Sequence, residues 1–301
     1  MRKIKVSSIS FPAAEPKKFF STLDNYLFYS FAEKPDIICL PEIFHLIGVK
    51  NPLRKPLDVP NEITDFLGEK ALKNNCYIIC PILEKDKNGN TYNSSLLINR
   101  KGQIVCSYHK IYPTIGEIEN GIMPGKEPIV IDTDFGRIGF VICFDLNFRE
   151  IFEEMAKKNV EIVFFSSMFS GGPIINCRAL EFSIFIVSSL PISLGPTESS
   201  VIVNPLGKTI KFSSLYEPVI TAEINLDYCV CHLDYNHLKF KKLKKKYGNL
   251  VDIEVSSPEG IFCLYSNHPE KTVKEIIEEF KIETRKDYFN RAREIRERTL
   301  K

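Results

Sequence analysis

Short apolar runs alternate along this chain with stretches whose apolar residues recur every three or four positions, and that alternation confines it to an α/β fold. Helical spacing marks Pro16 to Glu33 through Phe19, Phe20, Leu23, Tyr26, Leu27 and Phe31, and Asn61 to Asn74 through Ile63, Phe66, Leu67 and Leu72. Asp36 to Leu40, Tyr77 to Leu83, Ser94 to Ile98 and Gln103 to Tyr108 read as strands, with turn residues at Asn88-Gly89 and Arg100 to Gly102. After a loop from Thr114 to Glu127, strands follow at Ile129 to Ile131 and Arg137 to Cys143. Asn147 to Lys158 reads as a helix opened by Asn147, with Glu150 three residues on as in a capping box. Glu161 to Ser166 is a strand, Pro173 to Phe182 a helix, and Ser183 to Ser188 and Ser200 to Val203 strands. The turn Asn204 to Gly207 then leads to strands at Lys208 to Phe212 and Val219 to Ile224. The pattern predicts a mixed sheet, or two sheets, covered by helices.

Charge changes character near Asp227. Residues 229–301 hold 16 basic and 12 acidic residues, whereas 1–228 hold 24 and 26. A boundary at 228 is expected, with 229–301 a charged helical extension used for docking or oligomerisation. With 301 residues the chain can bury a substantial core. Its net charge of +2 lacks the basic excess of a general nucleic-acid binder. The longest apolar stretches, such as Ile138 to Phe144, fall far short of the ~20 residues of a membrane span. No apolar run follows Arg2, Lys3 and Lys5, so no secretion signal is expected. Nine cysteines, an odd number spread through strand-like segments, fit free thiols in a reducing compartment. The expectation is a cytoplasmic protein with neither nucleic-acid nor membrane partners.

Three reactive residues fall where strands end. Glu42 follows the run Ile37 to Pro41, Lys110 closes Ile104 to His109, and Cys143 closes Ile138 to Ile142. Ligands of open α/β sheets gather at the carboxyl ends of strands. A thiolate is a strong nucleophile whose pKa falls beside a cation or a helix N-terminus, and Cys143 has candidates for both in Lys110 and the helix opening near Asn147. A glutamate can serve as general base and then general acid. An ammonium, or the backbone N–H after the cysteine, can stabilise an oxyanion. Taken singly, each has a plainer explanation: a cysteine ending a strand is usually core, and a strand-end lysine or glutamate is usually solvated.

Together the residues resemble the nitrilase superfamily of carbon–nitrogen hydrolases. Asp36 to Glu42 is similar to the family's first motif, Tyr108 to Lys110 with Ile111 to Thr114 and Glu117 to the second, and Arg137 to Glu150 to the third. They stand in family order. Cys177 to Glu181 resembles the helix after the nucleophile, and Val201 to Gly207 the late hairpin. The resemblance covers roughly residues 1–228. It implies a four-layer α-β-β-α sandwich, no metal or cofactor, and a homodimer or larger homo-oligomer. It also implies that Cys143 attacks the carbonyl carbon of an amide, that ammonia or an amine leaves, and that a water activated by Glu42 hydrolyses the thioester. By the same resemblance Lys110 and the backbone N–H of Phe144 hold the oxyanion, and Glu117 positions substrate and catalytic groups, a role for which Glu119 competes. Phe144-Asp145 after the cysteine is as in amidase- and carbamoylase-like branches. The Gln common near the end of the first strand, the Asn common after Glu181 and any tryptophan are missing. The implied function is release of ammonia from a small amide or N-carbamoyl compound. Alternatives are a nitrilase, an acyltransferase, and a binding or regulatory protein on the same fold.

Other constellations carry less. Cys76 with Cys80, or Cys229, Cys231, His232 and His237, lack finger-like spacing for zinc. His109 neighbours Lys110 on a strand and therefore points to the opposite side. Six lysines between Lys239 and Lys246 read as a solvated helix face. Val273, Ile276, Ile277 and Phe280 form an apolar helix face expected to dock, with a second subunit the favoured partner.

Overall fold

A computed structural model describes residues 2–192 and 199–301. Through the first sheet the chain runs β1 (Lys3–Ile9), α1 (Phe19–Ala32), β2 (Ile37–Cys39), β3 (Leu57–Asp58), α2 (Glu62–Asn74), β4 (Tyr77–Lys85), β5 (Thr91–Ile98) and β6 (Ile104–His109). It continues through α3 (Ile115–Glu119), β7 (Val130–Asp132), β8 (Arg137–Ile142), α4 (Arg149–Lys157), β9 (Ile162–Ser166), α5 (Pro173–Phe182), β10 (Phe185–Ser189), β11 (Val201–Val203), β12 (Thr209–Phe212) and β13 (Val219–Asn225). Two compact units result, Lys5–Glu223 and residues 2–4 with 224–301.

In the larger unit one sheet is ordered β13-β1-β2-β4-β5-β6, with β3 paired to β4, and the other β12-β11-β10-β9-β8-β7. The centre of each is parallel: β1 with β2 and β2 with β4, β8 with β9 and β9 with β10. The flanking pairs β4–β5, β5–β6 and β7–β8 are antiparallel, as hairpins must be. Helices α1 and α2 cover the outer face of the first sheet, Leu23, Leu27, Leu67 and Ala71 packing with Ile38, Ile78 and Leu96. Helices α4 and α5 cover the second, with Ile151, Phe152, Met155 and Ala179 against Val141, Val163 and Ile186. The inner faces meet through Tyr108 stacked on Phe140, and through buried serines that close hydrogen bonds between the sheets. Ser166 Oγ donates to Leu40 O, Ser8 Oγ to Ser188 O and Ser189 Oγ to Ile9 O, all within 2.8 Å. This is the four-layer α-β-β-α sandwich, and it brings the ends of β2, β6 and β8 together.

Local signals explain the elements. Asn61 caps α2 by accepting from Ile63 N and Thr64 N, while Thr64 Oγ1 accepts from Asn61 N. The capping box expected at Asn147 does not form. Cys143–Asn147 is a tight 3₁₀ turn, Asn147 Nδ2 donates to Phe144 O at 3.1 Å, and α4 starts later, at Arg149.

In the smaller unit the chain passes through β14 (Tyr228–His232), α6 (Phe240–Tyr247), β15 (Val251–Ser256), β16 (Ile261–Ser266), α7 (Val273–Phe280) and α8 (Arg285–Thr299). The segment expected to be helical therefore also carries an antiparallel sheet, ordered β14-β16-β15. The lysine- and arginine-rich helices dominate its composition and mask the strand alternation in between. The face of α7 expected to meet a second subunit is used inside the unit: Val273, Ile276 and Ile277 pack with Val251, Phe262 and Leu264. Leu243 and Tyr247 of α6 join the same core, leaving its lysines on the outer side. No helix among the described residues is long and apolar enough to cross a membrane.

Candidate active site

The residue after β6 is Lys110, its N–H held by Asn93 O at 2.8 Å. Strand alternation sends its neighbour His109 the other way, to Glu84 Oε2 at 3.2 Å and against the Tyr92 ring. The Lys110 side chain turns inward and is 1% exposed. Thr114, four residues on, starts α3 with a reciprocal cap: its Oγ1 accepts from Glu117 N, and Glu117 Oε2 accepts from Thr114 N at 2.7 Å. That cap aims the Glu117 carboxylate back at the lysine. Lys110 Nζ donates to Glu117 Oε1 and Oε2 at 3.0 and 2.8 Å, and to Glu42 Oε1 at 3.0 Å. Glu119 is exposed and takes no part.

Glu42 sits two residues past Leu40, on a turn that the next residue makes possible. Ile43 has φ 37 and ψ 42, the left-handed region that a β-branched side chain seldom occupies. Cys143, directly after β8, also has positive φ, 49. Each such residue costs on the order of 1–3 kcal/mol and persists only where its surroundings enforce it. For Cys143 the enforcing group is Asp145, fully buried on the same turn. Its Oδ2 accepts from Ile142 N at 3.1 Å and from the Tyr108 hydroxyl at 2.8 Å, and its Oδ1 accepts from Tyr112 N at 2.8 Å. One carboxylate thus fastens the cysteine turn to the chain on both sides of Lys110.

Electrostatics follow from this burial. Burial pushes the Cys143 thiol up to about 12, Glu42 beside it pushes the same way, and Lys110 with the Met168 backbone N–H pulls only partly back. The lowered thiol pKa expected from a cation and a helix start is therefore corrected: desolvation and a neighbouring carboxylate outweigh both, and Cys143 rests as a thiol. Burial works against the Lys110 ammonium, yet the negative charges of Glu42 and Glu117, joined by the Cys143 thiolate only once it forms, outweigh it and raise its pKa. Burial likewise opposes the Glu117 carboxylate, but Lys110, Asn93 and the Thr114 N–H hold it below the usual carboxylate range. Asp145 is lifted to about 6 by burial, against the hydrogen bonds it accepts. Glu42 Oε2 is buried with no hydrogen-bond partner among the described residues. A protonated thiol thus stands beside a carboxylate with an open oxygen, under a fixed ammonium. Phe144 is the second residue of the 3₁₀ turn, where an N–H has no acceptor within the turn.

Sequence reasoning brought Glu42, Lys110, Glu117, Cys143 and Phe144 to this region and missed Asn93, Asp145 and Met168. Thr114-x-x-Glu117 is a capping signature that would have singled out Glu117 over Glu119. Asn93 and Met168 carry no comparable signal, since one is a polar residue within a strand and the other acts through its backbone. All nine cysteines are free, and no group of three or more His, Cys, Asp or Glu among the described residues is arranged to hold a metal ion.

A thiol, an ammonium and carboxylates buried at the strand ends of a two-sheet sandwich fit a thiol hydrolase. The chain belongs to the carbon–nitrogen hydrolase family, whose model matches residues 6–230, and so to the nitrilase superfamily. It is 25% identical over 256 residues to the omega-amidase NIT3 of Saccharomyces cerevisiae, covering 74% of this chain and 88% of that one. The crystal structure of yeast Nit3 superposes with a TM-score of 0.65 at 24% identity, over 74% of this chain and 90% of that one. A mutant amidase from Nesterenkonia, carrying the acetamide moiety of fluoroacetamide at its active-site cysteine, gives a TM-score of 0.63 at 14% identity. There the coverage is 81% of this chain and 96% of the other.

Proposed function

We propose that this protein hydrolyses the terminal carboxamide of a small ω-amide through a thioester on Cys143. The observation that carries the reading is the open Oε2 of Glu42 beside a thiol that burial keeps protonated. Glu42 removes the thiol proton as sulfur attacks the carbonyl carbon, and the carbonyl oxygen becomes an oxyanion held by Lys110 and the Phe144 N–H. Glu42 then gives that proton to the nitrogen, the C–N bond breaks and ammonia leaves. Water attacks the thioester with Glu42 again as base; the C–S bond breaks, the thiol is regained and a carboxylic acid is released. General acid–base work of this kind contributes roughly 10²–10⁴-fold. Glu117 keeps Lys110 charged and in place.

The amidase relatives put ω-amides ahead of N-carbamoyl compounds and nitriles. Ammonia release from these three classes, with Cys143→Ala as blank, tests the reading. Release from ω-amides by the wild type alone is expected. Turnover of nitriles but not their amides would overturn it, as would undiminished release by Cys143→Ala.

A further inference from the structure

We infer that Asn93 is the positioning residue that selects which oxygen of Glu42 acts as the base. This rests on the proposed role of Glu42 and adds the group that orients it. Asn93 lies on β5 and is fully buried. Its Nδ2 donates to Glu42 Oε1 at 2.7 Å and to Glu117 Oε1 at 2.8 Å. Both acceptors are carboxylate oxygens, so the amide can face them only with its NH₂ group, and its orientation is settled by the network. Its backbone carbonyl also accepts from Lys110 N, so one residue fixes the lysine backbone and both glutamates.

The consequence lies in how the Glu42 oxygens are used. Oε1 accepts two hydrogen bonds, from Asn93 and from Lys110, while Oε2 accepts none from the described residues. A carboxylate that could swing would offer either oxygen, and Lys110 alone, with a rotatable ammonium, would follow it. The Asn93 amide removes that freedom. Among the described residues, the other ionisable groups gathered at Glu42 are Lys110, Glu117 and Cys143. Among these neighbours Asn93 is the neutral donor, able to bridge the two carboxylates without altering the charge balance. Two carboxylate oxygens sharing one NH₂ group and one ammonium otherwise repel, so losing Asn93 lets Glu42 turn away from Glu117.

Asn93→Ala and the near-isosteric Asn93→Asp separate this role from a packing role. In each, the rate of Cys143 alkylation by iodoacetamide is followed against pH, resolved by peptide mass, alongside kcat and KM on an ω-amide that the wild type turns over. Expected for Asn93→Ala is a fall in kcat of roughly 10- to 100-fold, the span of a hydrogen bond to a charged group. KM should change little. Asn93→Asp should be slower still, because it keeps the shape but replaces two donors by a third carboxylate. The alkylation rate at neutral pH should fall in both variants even if no amide is turned over, which keeps a failure of the substrate assignment distinct from a failure of this inference. Near-wild-type alkylation rate and kcat in Asn93→Ala, or activity in Asn93→Asp above that of Asn93→Ala, would overturn it.

Discussion

Two lysine–glutamate clusters of almost the same composition stand in the two units. In the larger unit Lys110 lies between Glu42 and Glu117, with side-chain exposures of 1%, 3% and 9%. In the smaller unit Glu279 lies between Lys246 and Lys271, with exposures of 28%, 53% and 40%, and also accepts from the Tyr247 hydroxyl. Lys246, Lys271 and Tyr247 draw the Glu279 pKa down to about 2. A shifted pKa is thus common to both and distinguishes neither. The difference is solvent. Exposed charges keep most of their hydration, are screened by salt, and lose little when a partner goes. Buried charges have given up hydration, so each depends on the others and on donors such as Asn93. The Cys143 thiol, whose proton the proposed mechanism moves, stands beside the first cluster, while the second ties α6 and α7 to the chain after β16.

The comparison can be strained hardest at its centre. Lys110→Ala leaves two buried carboxylates without their cation; it should cost about 3–5 kcal/mol in urea unfolding and abolish measurable turnover. Loss of turnover with unchanged stability would mean that the cluster is wetter than its burial indicates. Glu42→Gln keeps the shape and removes the proposed base. It should lower kcat by roughly 10²–10⁴-fold while the melting temperature moves little.

A third comparison uses pH. The folded pKa of Glu117 lies below its ordinary 4.5, so its contribution to stability is complete at neutral pH and is lost as pH falls through the folded value. The sign is the same for Glu279. The two differ in salt dependence. Glu117→Gln should flatten the acid loss of stability equally at about 0.01 M and about 1 M salt, where the Debye length is roughly 30 and 3 Å. Glu279→Gln should flatten it only at the lower salt. The smallest effect belongs to Glu279→Gln at neutral pH and high salt, where thermal unfolding should match the wild type within measurement scatter.

Much of this was legible because the proposed reacting groups sit at predictable places. A polar residue directly after a short apolar run marks a strand end, and Glu42, Lys110 and Cys143 are all of that kind. The sandwich follows from alternation and from the family motifs. What was hidden depends on three-dimensional surroundings. The thiol pKa of Cys143 is decided by desolvation and by Glu42, 101 positions away, so the visible cue of a nearby cation pointed the wrong way. The strands of the smaller unit were hidden because charged helices dominate the composition. The apolar face of α7 was legible, but its partner was not, since Phe262 and Leu264 belong to strands that were not recognised.

The most direct measurement is rapid acid quench of the wild type turning over an ω-amide, followed by peptide mass analysis. The account predicts an acyl group on the Cys143 peptide, with the mass of the substrate less ammonia, that disappears as substrate is exhausted and never forms in Cys143→Ala. An acyl group on another residue, or full ammonia release by Cys143→Ala, would contradict it.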